Sequence, residues 1–422
     1  MHKLKVLVIN NYHYRRGGAD TIYFNTIELL RTNGHQVQSY SLSHPDNLPD
    51  KNSVFFAKYH NMPEKSFYSR VFNLNKYFYS NEAKKGLKLL LKQFSPDVVH
   101  AHLLYGGLSS SVLSVLKNRG IPVVYSAHDY KLICPNQSFL INGVKICEDC
   151  KGRKYFNAFK NKCNRGNRFF SLVIGLESYF RDIFFPIEKY ISKIIVLCQF
   201  GLEKHKEFRP DLSHKLTQLF NYAPNIDNIV PVQKKGEYFL FFGRLSSEKG
   251  LLTLIEAWRN VPIDCKLQIV GTGPLESRLL QITNDYKLNN VELMGYRQGD
   301  DLVQLIRNAF FILVPSEWYE NNPMTVIEAF SHGKPAIGSN IGGISELIEN
   351  EKTGFLFQAG NIKELTDCII KANNLSDSKY VFFANAARKF IEMNCAPEVH
   401  YNSLIQIYNE VVNDKSNRTA CK

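Results

Sequence analysis

Short apolar runs alternate with longer amphipathic stretches along both halves of this chain. A short apolar run bounded by polar residues is typical of a buried strand, whereas apolar positions with a period of about 3.6 residues indicate a helix. Strands are predicted at residues 4–9, 37–40, 98–101, 123–127, 194–197, 238–242, 266–270, 291–293, 310–314 and 336–338. Helices in the first half are predicted at residues 19–32, 83–94, 107–118 and 172–191.

This alternation predicts the α/β fold class, with a parallel sheet covered by helices on both faces in each half. The pattern stops at residues 224–236, which contain two Pro and two Lys and are interpreted as an interdomain linker. It also stops at residues 129–170, which are expected to form an inserted loop. Two doubly wound domains bind ligands at the carboxyl ends of their strands, in the crevice between the domains.

The composition, 44% hydrophobic and 22% charged, is that of an ordinary globular protein and excludes a disordered, collagen-like or coiled-coil chain. Positive charge is concentrated in one half: residues 1–225 carry a net charge of +16, and residues 226–422 carry −3. This asymmetry predicts an anionic partner for the first half, and leaves nucleic acid, an anionic membrane surface and a phosphorylated substrate open. No apolar segment reaches the ~18 residues of a bilayer span, and the first run is too short for a signal peptide, so we expect a cytoplasmic protein.

A cationic turn follows the predicted strand at 238–242, in the segment GRLSSEKG of residues 243–250. Arg244 offers phosphate a planar fork of donors, and Lys249 offers a mobile point charge, so the two cations suit a diphosphate. A solvated basic turn would carry the same residues, and the turn alone does not distinguish the two.

A second candidate element follows the predicted strand at 310–314. Pro323 suits the first turn of a helix, which would place Glu320 in the preceding loop and Glu328 inside the helix. The backbone amides of residues 324–326 would then be free to bind an anion at the helix N-terminus. Apolar neighbours favour a buried Glu328 that accepts from a ligand hydroxyl over a solvated surface residue.

These elements together resemble the retaining glycosyltransferases of family 4, whose GT-B fold consists of two Rossmann-like domains facing across a crevice. The resemblance covers nearly the whole chain and is most specific over residues 239–360. The matching residues are Gly243, Arg244, Lys249 and Gly250 of a Gly-Arg…Lys-Gly element, Glu320 and Glu328 of a Glu-x7-Glu element, and Gly333, Pro335, Gly342, Gly343 and Glu346 of a small-residue segment. In the first half, Gly17-Gly18-Ala19 matches the family's glycine loop, with Asp20 where Glu is more usual, and His128 matches a His that follows a strand.

The resemblance implies transfer of a sugar from a nucleotide diphosphate sugar, of UDP or GDP type, with retention of configuration. It implies a lipid-linked or saccharide acceptor in bacterial polysaccharide biosynthesis, and no cofactor for catalysis, because protein cations would neutralise the diphosphate. The implied catalytic residues are His128, Arg244, Lys249 and Glu320. The implied donor-binding residues are Gly17, Gly18, Arg244, Lys249, Gly271, Gly273, Glu320, Asn322, Met324, Thr325 and Glu328. The implied domains are an acceptor-side domain at 1–225, a donor-binding domain at 226–396, and a helix at 397–422 that packs back on the first domain.

Four cysteines in the inserted loop, Cys134, Cys147, Cys150 and Cys163, follow a C-x12-C-x2-C-x12-C pattern. Four thiolates with a central C-x2-C pair can hold a zinc ion tetrahedrally, and such a site would be structural because no position is left for water. Unliganded thiols are an equally good interpretation of the same residues.

Residues 151–170 of the loop combine seven Lys and Arg residues with five aromatic residues and no acid. Such a composition suits an anionic lipid interface and equally a single-stranded nucleic acid. The resemblance favours the membrane, because many enzymes of this kind act on polyprenyl-diphosphate-linked sugars. It implies a peripheral position on the inner face of the cell membrane, without a nucleic-acid partner, and a solvated loop is the plain alternative.

Other functions remain open at this point. A GT-B-fold nucleotide-sugar epimerase would need added acid and base carboxylates near the sugar, and a phosphorylase would need a lysine that holds pyridoxal phosphate, for which no motif is found. A zinc-stabilised nucleic-acid-binding protein built on residues 130–170 would explain the cysteines and the charge, but it leaves Arg244, Lys249, Glu320 and Glu328 without a role. A non-catalytic binder of sugar nucleotides would not need the complete donor set that the chain carries.

Overall fold

The computed structural model describes residues 3–58, 74–224, 226, 234–262 and 264–420, with the side chains of residues 416–420 excepted. The chain divides into two compact units. The first unit comprises Met1–Asn142, Cys147–Leu219 and Tyr401–Lys422, and the second comprises Gly143–Ile146 and Phe220–His400. Of the predicted linker, residues 225 and 227–233 lie outside the described residues. Within the described ranges, no helix is both long and apolar enough to cross a membrane.

A parallel sheet of six strands organises the first unit, in the order β10-β9-β6-β5-β1-β2. The strands before residue 220 are β1 (Lys5–Ile9), β2 (Gln36–Tyr40), β3 (Leu42–Ser43), β4 (Ala57–Lys58), β5 (Val98–Ala101), β6 (Val123–Ala127), β7 (Leu140–Ile141), β8 (Lys145–Ile146), β9 (Lys193–Val196) and β10 (Leu216–Gln218). The central strands β5 and β6 are buried at every residue, because helices cover both faces of the sheet.

Helices of the first unit include α1 (Gly18–Thr32), α2 (Asn81–Gln93), α3 (Ser111–Asn118), α4 (Asn157–Lys160), α5 (Arg168–Phe184), α6 (Ile187–Tyr190) and α7 (Gln199–Phe208). The single helix predicted at 172–191 is wrong, since α5 ends at Phe184 and α6 is separate. Pro186 lacks an N–H and disfavours a helical Phe185, whose φ is −132°. The inserted loop predicted at 129–170 contains β7, β8 and α4.

The second unit has a parallel sheet in the order β13-β12-β11-β14-β15-β16, which is the doubly wound order 3-2-1-4-5-6. Its strands are β11 (Tyr238–Phe242), β12 (Leu267–Val270), β13 (Val291–Gly295), β14 (Ala309–Val314), β15 (Ala336–Ser339) and β16 (Gly354–Phe357). Its helices include α8 (Leu251–Trp258), α9 (Glu276–Asp285), α10 (Gly299–Asn308), α11 (Met324–Ser331), α12 (Ile344–Leu347), α13 (Ile362–Asn373) and α14 (Asp377–Asn394). The sequence pattern did not predict β16, because only three apolar residues follow its glycine.

Two apolar clusters cover the two faces of the second sheet. Phe239 packs in a cluster with Trp258, and the next residue, Leu240, packs in a different cluster with Phe330. Successive side chains of a strand point to opposite faces, so each face has its own core. This is why the strands of this unit are continuously apolar rather than alternating.

The C-terminal helix α15 (Pro397–Ala420) begins in the second unit, and its residues from Tyr401 onward belong to the first. The Tyr401 hydroxyl lies 2.8 Å from His35 Nε2, and the Tyr408 hydroxyl lies 2.7 Å from His100 Nδ1. These buried hydrogen bonds attach the helix to the first sheet.

Candidate functional site

The strand order of the second sheet reverses between β11 and β14. In doubly wound sheets, ligands bind at the carboxyl ends of the strands at such a reversal. The cationic turn at 243–250 follows β11, and the loop at 315–323 follows β14. The sheet topology therefore brings the two candidate elements to one edge of the second unit.

Lys249 and Glu320 form an ion pair between these two loops. The Nζ and Oε1 atoms are 2.6 Å apart, and the Ser316 hydroxyl donates to the same carboxylate oxygen at 2.8 Å. Burial by itself would raise the pKa of Glu320, but Lys249 and these hydrogen bonds hold it below its ordinary value. Glu320 is therefore ionised at neutral pH, and its carboxylate is fixed in position.

Glycines allow the loops of this site to pack closely. A Cβ atom on Gly250 would lie 1.8 Å from the carbonyl oxygen of Pro315, and one on Gly342 would lie 2.5 Å from that of Glu320. The amide of Gly343 donates to the same Glu320 carbonyl at 2.7 Å. The Gly-Gly pair therefore holds the backbone of Glu320, and a side chain at Gly342 would displace it.

Gly271 and Gly273, which the family resemblance implies as donor-binding residues, pack in the same way. A Cβ atom on Gly271 would lie 1.9 Å from the carbonyl oxygen of Gly243, and one on Gly273 would lie 2.4 Å from that of Leu245. Both glycines thus bring the loop after β12 against the cationic turn. This packing accounts for the two glycines without a ligand.

Helix α11 begins at Met324, with Pro323 as its N-cap. The amide of Val326 was expected to be free, and this is wrong, because it donates to the carbonyl of Pro323 at 3.1 Å. The amides of Met324 and Thr325 have no acceptor among the described residues. An anion at this helix end would therefore meet two free N–H groups rather than three.

Glu328 lies inside α11 and is partly buried. Burial raises the pKa of Glu328 to about 7. In the described part of the chain, no side chain forms an ion pair or hydrogen bond with its carboxylate. A carboxylate in this environment gains from hydrogen bonds donated by ligand hydroxyls, because such bonds replace lost solvation.

The side chains of Arg244 and Asn322 differ in whether other residues of the protein bind them. The Arg244 side chain is exposed, and no described acidic residue pairs with it. Asn322 is buried and its Oδ1 accepts from the amide of Asn221 at 2.9 Å, whereas its Nδ2 has no described partner. Arg244 is therefore available to an anion, and Asn322 serves the loop structure through its oxygen.

In the first unit, the glycine loop leads into α1. Gly17 is the N-cap in an extended conformation, and Gly18 is the first helical residue. A Cβ atom on Gly17 would meet nothing within 4 Å, so packing does not require a glycine there. Behind the loop, buried Asp20 accepts from Asn10 Nδ2 at 2.9 Å, which orders the helix entrance.

His128 belongs to a row of three histidines, and the other two, His100 and His102, were not among the predicted site residues. Its Nε2 lies 2.7 Å from Nδ1 of His102, and the two rings stack with centroids 5.0 Å apart. His100 stacks on His102 at 4.3 Å. Burial lowers the pKa of His128 to about 4, so its ring is neutral at neutral pH. His100 and His102 are two residues apart at the end of β5, so their side chains lie on the same face of the strand. This spacing is the sequence signal that could have revealed the row.

The four cysteines of the insert line one cavity of about 10 Å³ in the first unit. All four are free thiols, and Cys147 is the least buried of them. Across the described residues, no three His, Cys, Asp or Glu side chains already stand in an arrangement that could hold a metal ion. The fold thus gathers the predicted ligands around one cavity without a finished ligand set.

Some residues of the basic segment of the insert already form ion pairs within the protein or are buried. Lys151 pairs with Glu207 at 2.8 Å, and Arg153 pairs with Asp211 at 2.9 Å. Tyr155 is 1% exposed, so it cannot insert into an interface. These contacts attach the insert to the rest of the first unit, and an anionic surface would compete with Glu207 and Asp211 for the two exposed cations. The exposed members of the segment include Lys154, Phe156, Lys160, Lys162, Arg165 and Arg168.

Two family profiles match the chain. The profile of the group 1 glycosyl transferases matches residues 223–390, which include both loops of the candidate site and α11. The profile of glycosyltransferase family 4 matches residues 16–165, which include the glycine loop, His128 and the four cysteines.

Individual relatives agree with the profiles. The chain is 27% identical over 295 residues to the UDP-Gal:α-D-GlcNAc-diphosphoundecaprenol α-1,3-galactosyltransferase of Escherichia coli, covering 68% of each chain. It is 29% identical over 177 residues to an amylovoran biosynthesis glycosyltransferase of Erwinia amylovora, covering 40% of this chain and 43% of that one.

Solved structures share the fold of the whole chain. A glycosyltransferase from Rickettsia africae gives a TM-score of 0.69 at 19% identity, covering 98% of this chain and 99% of its own. An Anabaena protein in complex with UDP gives 0.65 at 16% identity, covering 96% and 100%. The predicted GT-B architecture of two Rossmann-like domains is confirmed, and neither the epimerase nor the nucleic-acid-binding alternative finds support.

Proposed function

We propose that this chain is a glycosyltransferase of the GT-B type that transfers a sugar from a UDP-type nucleotide sugar with retention of configuration. The proposed acceptor is a lipid-linked or saccharide substrate of bacterial polysaccharide biosynthesis. Support for the donor and acceptor classes comes from the relative named for UDP-Gal and a diphosphoundecaprenol-linked sugar, and from the neighbour in complex with UDP. Amylovoran biosynthesis, in the name of another relative, supports the pathway class.

The observation that carries the proposal is the arrangement at the strand reversal of the second sheet. There, an exposed arginine, a lysine–glutamate ion pair, and a partly buried glutamate that pairs with none of the described side chains share one sheet edge. A diphosphate needs fixed cations and N–H donors, and a ribose needs a carboxylate acceptor. The group at this edge supplies both.

Arg244 and the first amides of α11 would bind the diphosphate. Lys249 has three N–H donors, of which one is directed at Glu320, so two remain for diphosphate oxygens. Negative charge develops on the leaving diphosphate as the sugar departs, and these preorganised donors stabilise it. Glu320, held by Lys249, would accept from hydroxyls of the donor sugar, and Glu328 would accept from the ribose hydroxyls.

A thermal-shift panel of UDP, GDP, ADP and their sugars tests the donor class. A nucleotide that binds only the folded chain raises Tm by mass action, and we expect the largest increase with UDP and UDP-sugars. Arg244→Ala should lower kcat/KM on the order of 100-fold and remove the UDP-induced shift. Arg278→Ala, an exposed arginine of the same unit, is the matched control. No shift with any nucleotide would overturn the proposal, and the anomeric signal of the product by NMR decides between retention and inversion.

We place the enzyme at the cytoplasmic face of the membrane through the exposed part of the insert and α5. The α5 side chains of Leu176, Ile183 and Phe184 are 49%, 68% and 60% exposed, and Phe156 of the insert is 50% exposed. Exposed apolar groups beside cations suit an anionic lipid interface, where each cation contributes about 1 kcal/mol.

Vesicle sedimentation tests this placement. Binding to phosphatidylglycerol-rich liposomes is expected at low salt and should be lost at high salt, because exposed charges are screened. Replacing Lys154, Lys160 and Lys162 by Gln should weaken binding, whereas the same change at Lys287, Lys363 and Lys371 of the second unit should not. Equal effects of the two triple variants would contradict a role for this surface.

A further inference from the structure

The insert gathers four cysteines around one cavity, and we propose that Cys134, Cys147, Cys150 and Cys163 bind a single structural zinc ion. The cavity of about 10 Å³ has about the volume that one water molecule needs, which is enough for one ion bonded to the sulfurs around it. Four thiolates complete a tetrahedral shell and leave no position for water or substrate. The ion therefore holds the insert together and takes no part in the transfer reaction.

An N–H donor reaches this group of sulfurs from α4 and the turn after it. Cys147 Sγ lies 3.4 Å from Asn161 Nδ2. Outer groups that donate to a metal ligand orient it and stabilise its charge. Asn161 therefore suits the role of an outer partner of Cys147 in a metal site.

Regular secondary structure is scarce in the insert. Between Cys134 and Cys163 the longest regular element is α4, which has four residues. Buried side chains such as Phe139 and Tyr155 pack the insert on the rest of the first unit, where they contact Phe208 and Asp182. The four cysteines are free thiols around one cavity. A metal ion bound to all four would cross-link the short loops that carry them.

Zinc binding requires a local adjustment. The thiols line the cavity but do not stand as a finished ligand set among the described residues. Rotation of the cysteine side chains would bring the sulfurs to a common centre. Because four thiolates need the cation's charge, zinc release is coupled to proton uptake, and loss of the ion loosens the segment that carries Lys154 and Phe156.

Metal analysis of the purified full-length chain is the direct test. We expect about one zinc per chain by inductively coupled plasma mass spectrometry, after dialysis against metal-free buffer. Cys150→Ser and Cys163→Ser should each lose the zinc, whereas Cys368→Ser, a buried cysteine of the second unit, should keep it. The proposal would be overturned if the wild-type chain lacks zinc after growth with zinc and does not take it up. It would also be overturned if the Cys150→Ser variant keeps its full zinc content.

A second measurement avoids dependence on variants that fail to fold. The wild-type chain reconstituted with Co²⁺ should show the intense visible d–d bands of tetrahedral thiolate coordination, and these bands should disappear when zinc is added. Three results would contradict a zinc site with four sulfur ligands. They are a weak octahedral cobalt spectrum, iron in place of zinc, and disulfides between these cysteines in the reduced preparation.

Discussion

Glu320 and Glu328 lie in one loop–helix segment, yet their surroundings shift their pKa values in opposite directions. Glu320 is ionised because Lys249 lies 2.6 Å away, which outweighs the effect of burial. No cation of the described residues pairs with Glu328, and burial raises its pKa to about 7. Glu320 is therefore charged at neutral pH, and Glu328 changes its charge near physiological pH.

The first prediction concerns the pH dependence of donor binding. As pH falls through about 7, Glu328 becomes protonated, so the charged acceptor is lost and the KM for the donor should rise. Glu328→Gln should raise KM about tenfold at pH 8, or about 1.4 kcal/mol, and make KM independent of pH near 7. Steady-state kinetics across this range, with exposed Glu351→Gln as a control, measure both effects. A pH profile that the glutamine variant retains would contradict this role.

His102 is expected to act on the reaction as a positioning residue through His128. Its Nδ1 is 2.7 Å from His128 Nε2, so it fixes which nitrogen of the neutral His128 ring carries the proton. His102→Phe keeps the stacked ring but removes this hydrogen bond, and should lower kcat by about tenfold to 100-fold. The donor KM should change little.

Two comparisons separate positioning from a structural role for His102. His102→Asn can restore a hydrogen bond to His128, so part of kcat should return, whereas exposed His214→Phe should have no effect. An increase in donor KM without a change in kcat, or an equal loss in the Phe and Asn variants, would count against positioning.

At the scale of elements, two loops and a helix end make the candidate donor site, and glycines set how closely they approach. Gly342 and Gly299 both have a left-handed backbone, with φ of +57° and +59°. A Cβ atom on Gly342 would lie 2.5 Å from the Glu320 carbonyl oxygen, whereas one on Gly299 would meet nothing within 4 Å. Comparing substitutions at Gly342 and Gly299 therefore distinguishes the effect of backbone strain from that of steric overlap.

We predict that Gly342→Ala impairs donor binding and Gly299→Ala does not. Both substitutions cost about 1–2 kcal/mol of stability for the left-handed backbone. Only Gly342→Ala adds an overlap of about 1–3 kcal/mol and displaces the backbone of Glu320. Thermal unfolding and the donor KM of both variants check this, and equal behaviour of the two would show that contact with Glu320 is unimportant.

At the scale of the whole molecule, neutral buried histidines make both units sensitive to acid. His205 in the first unit and His400 in the second each have a pKa lowered to about 4 by burial. Their Nδ1 atoms donate to backbone carbonyls, His205 to Gly201 at 2.7 Å and His400 to Phe220 at 2.8 Å. As the pH falls, the two histidines of the unfolded chain become protonated near pH 6.5. Those of the folded chain become protonated only near pH 4.

Stability should therefore be complete above about pH 6.5 and fall as the pH decreases toward 4, because the unfolded state takes up more protons in this window. Tm measured at pH 7.5 and pH 5 should show the decrease. His205→Gln should reduce the difference, and the exposed His214→Gln should leave it unchanged. An equal Tm at the two pH values would contradict this assignment.

The local features of this protein follow from its amino-acid sequence alone. Apolar runs and helical periodicity specify the strands and helices, because each pattern is repeated within a few residues. The alternation of the two predicts a parallel sheet in each half. It places the motif at 243–250 directly after one predicted strand, and the motif at 320–328 in the loop and helix that follow another. The four cysteines were recognisable as one group by their spacing alone.

Contacts between side chains that are distant in the sequence depend on the three-dimensional fold. Lys249 and Glu320 are 71 residues apart, and His102 and His128 are 26 apart, so their contacts depend on which strands are neighbours in the sheets. The pairing of Lys151 with Glu207 likewise depends on how the insert folds back on α7. Burial, and with it the pKa values of Glu328 and His128, follows from the packing of the whole unit. No local pattern encodes such contacts, because strand order and packing are properties of the complete chain.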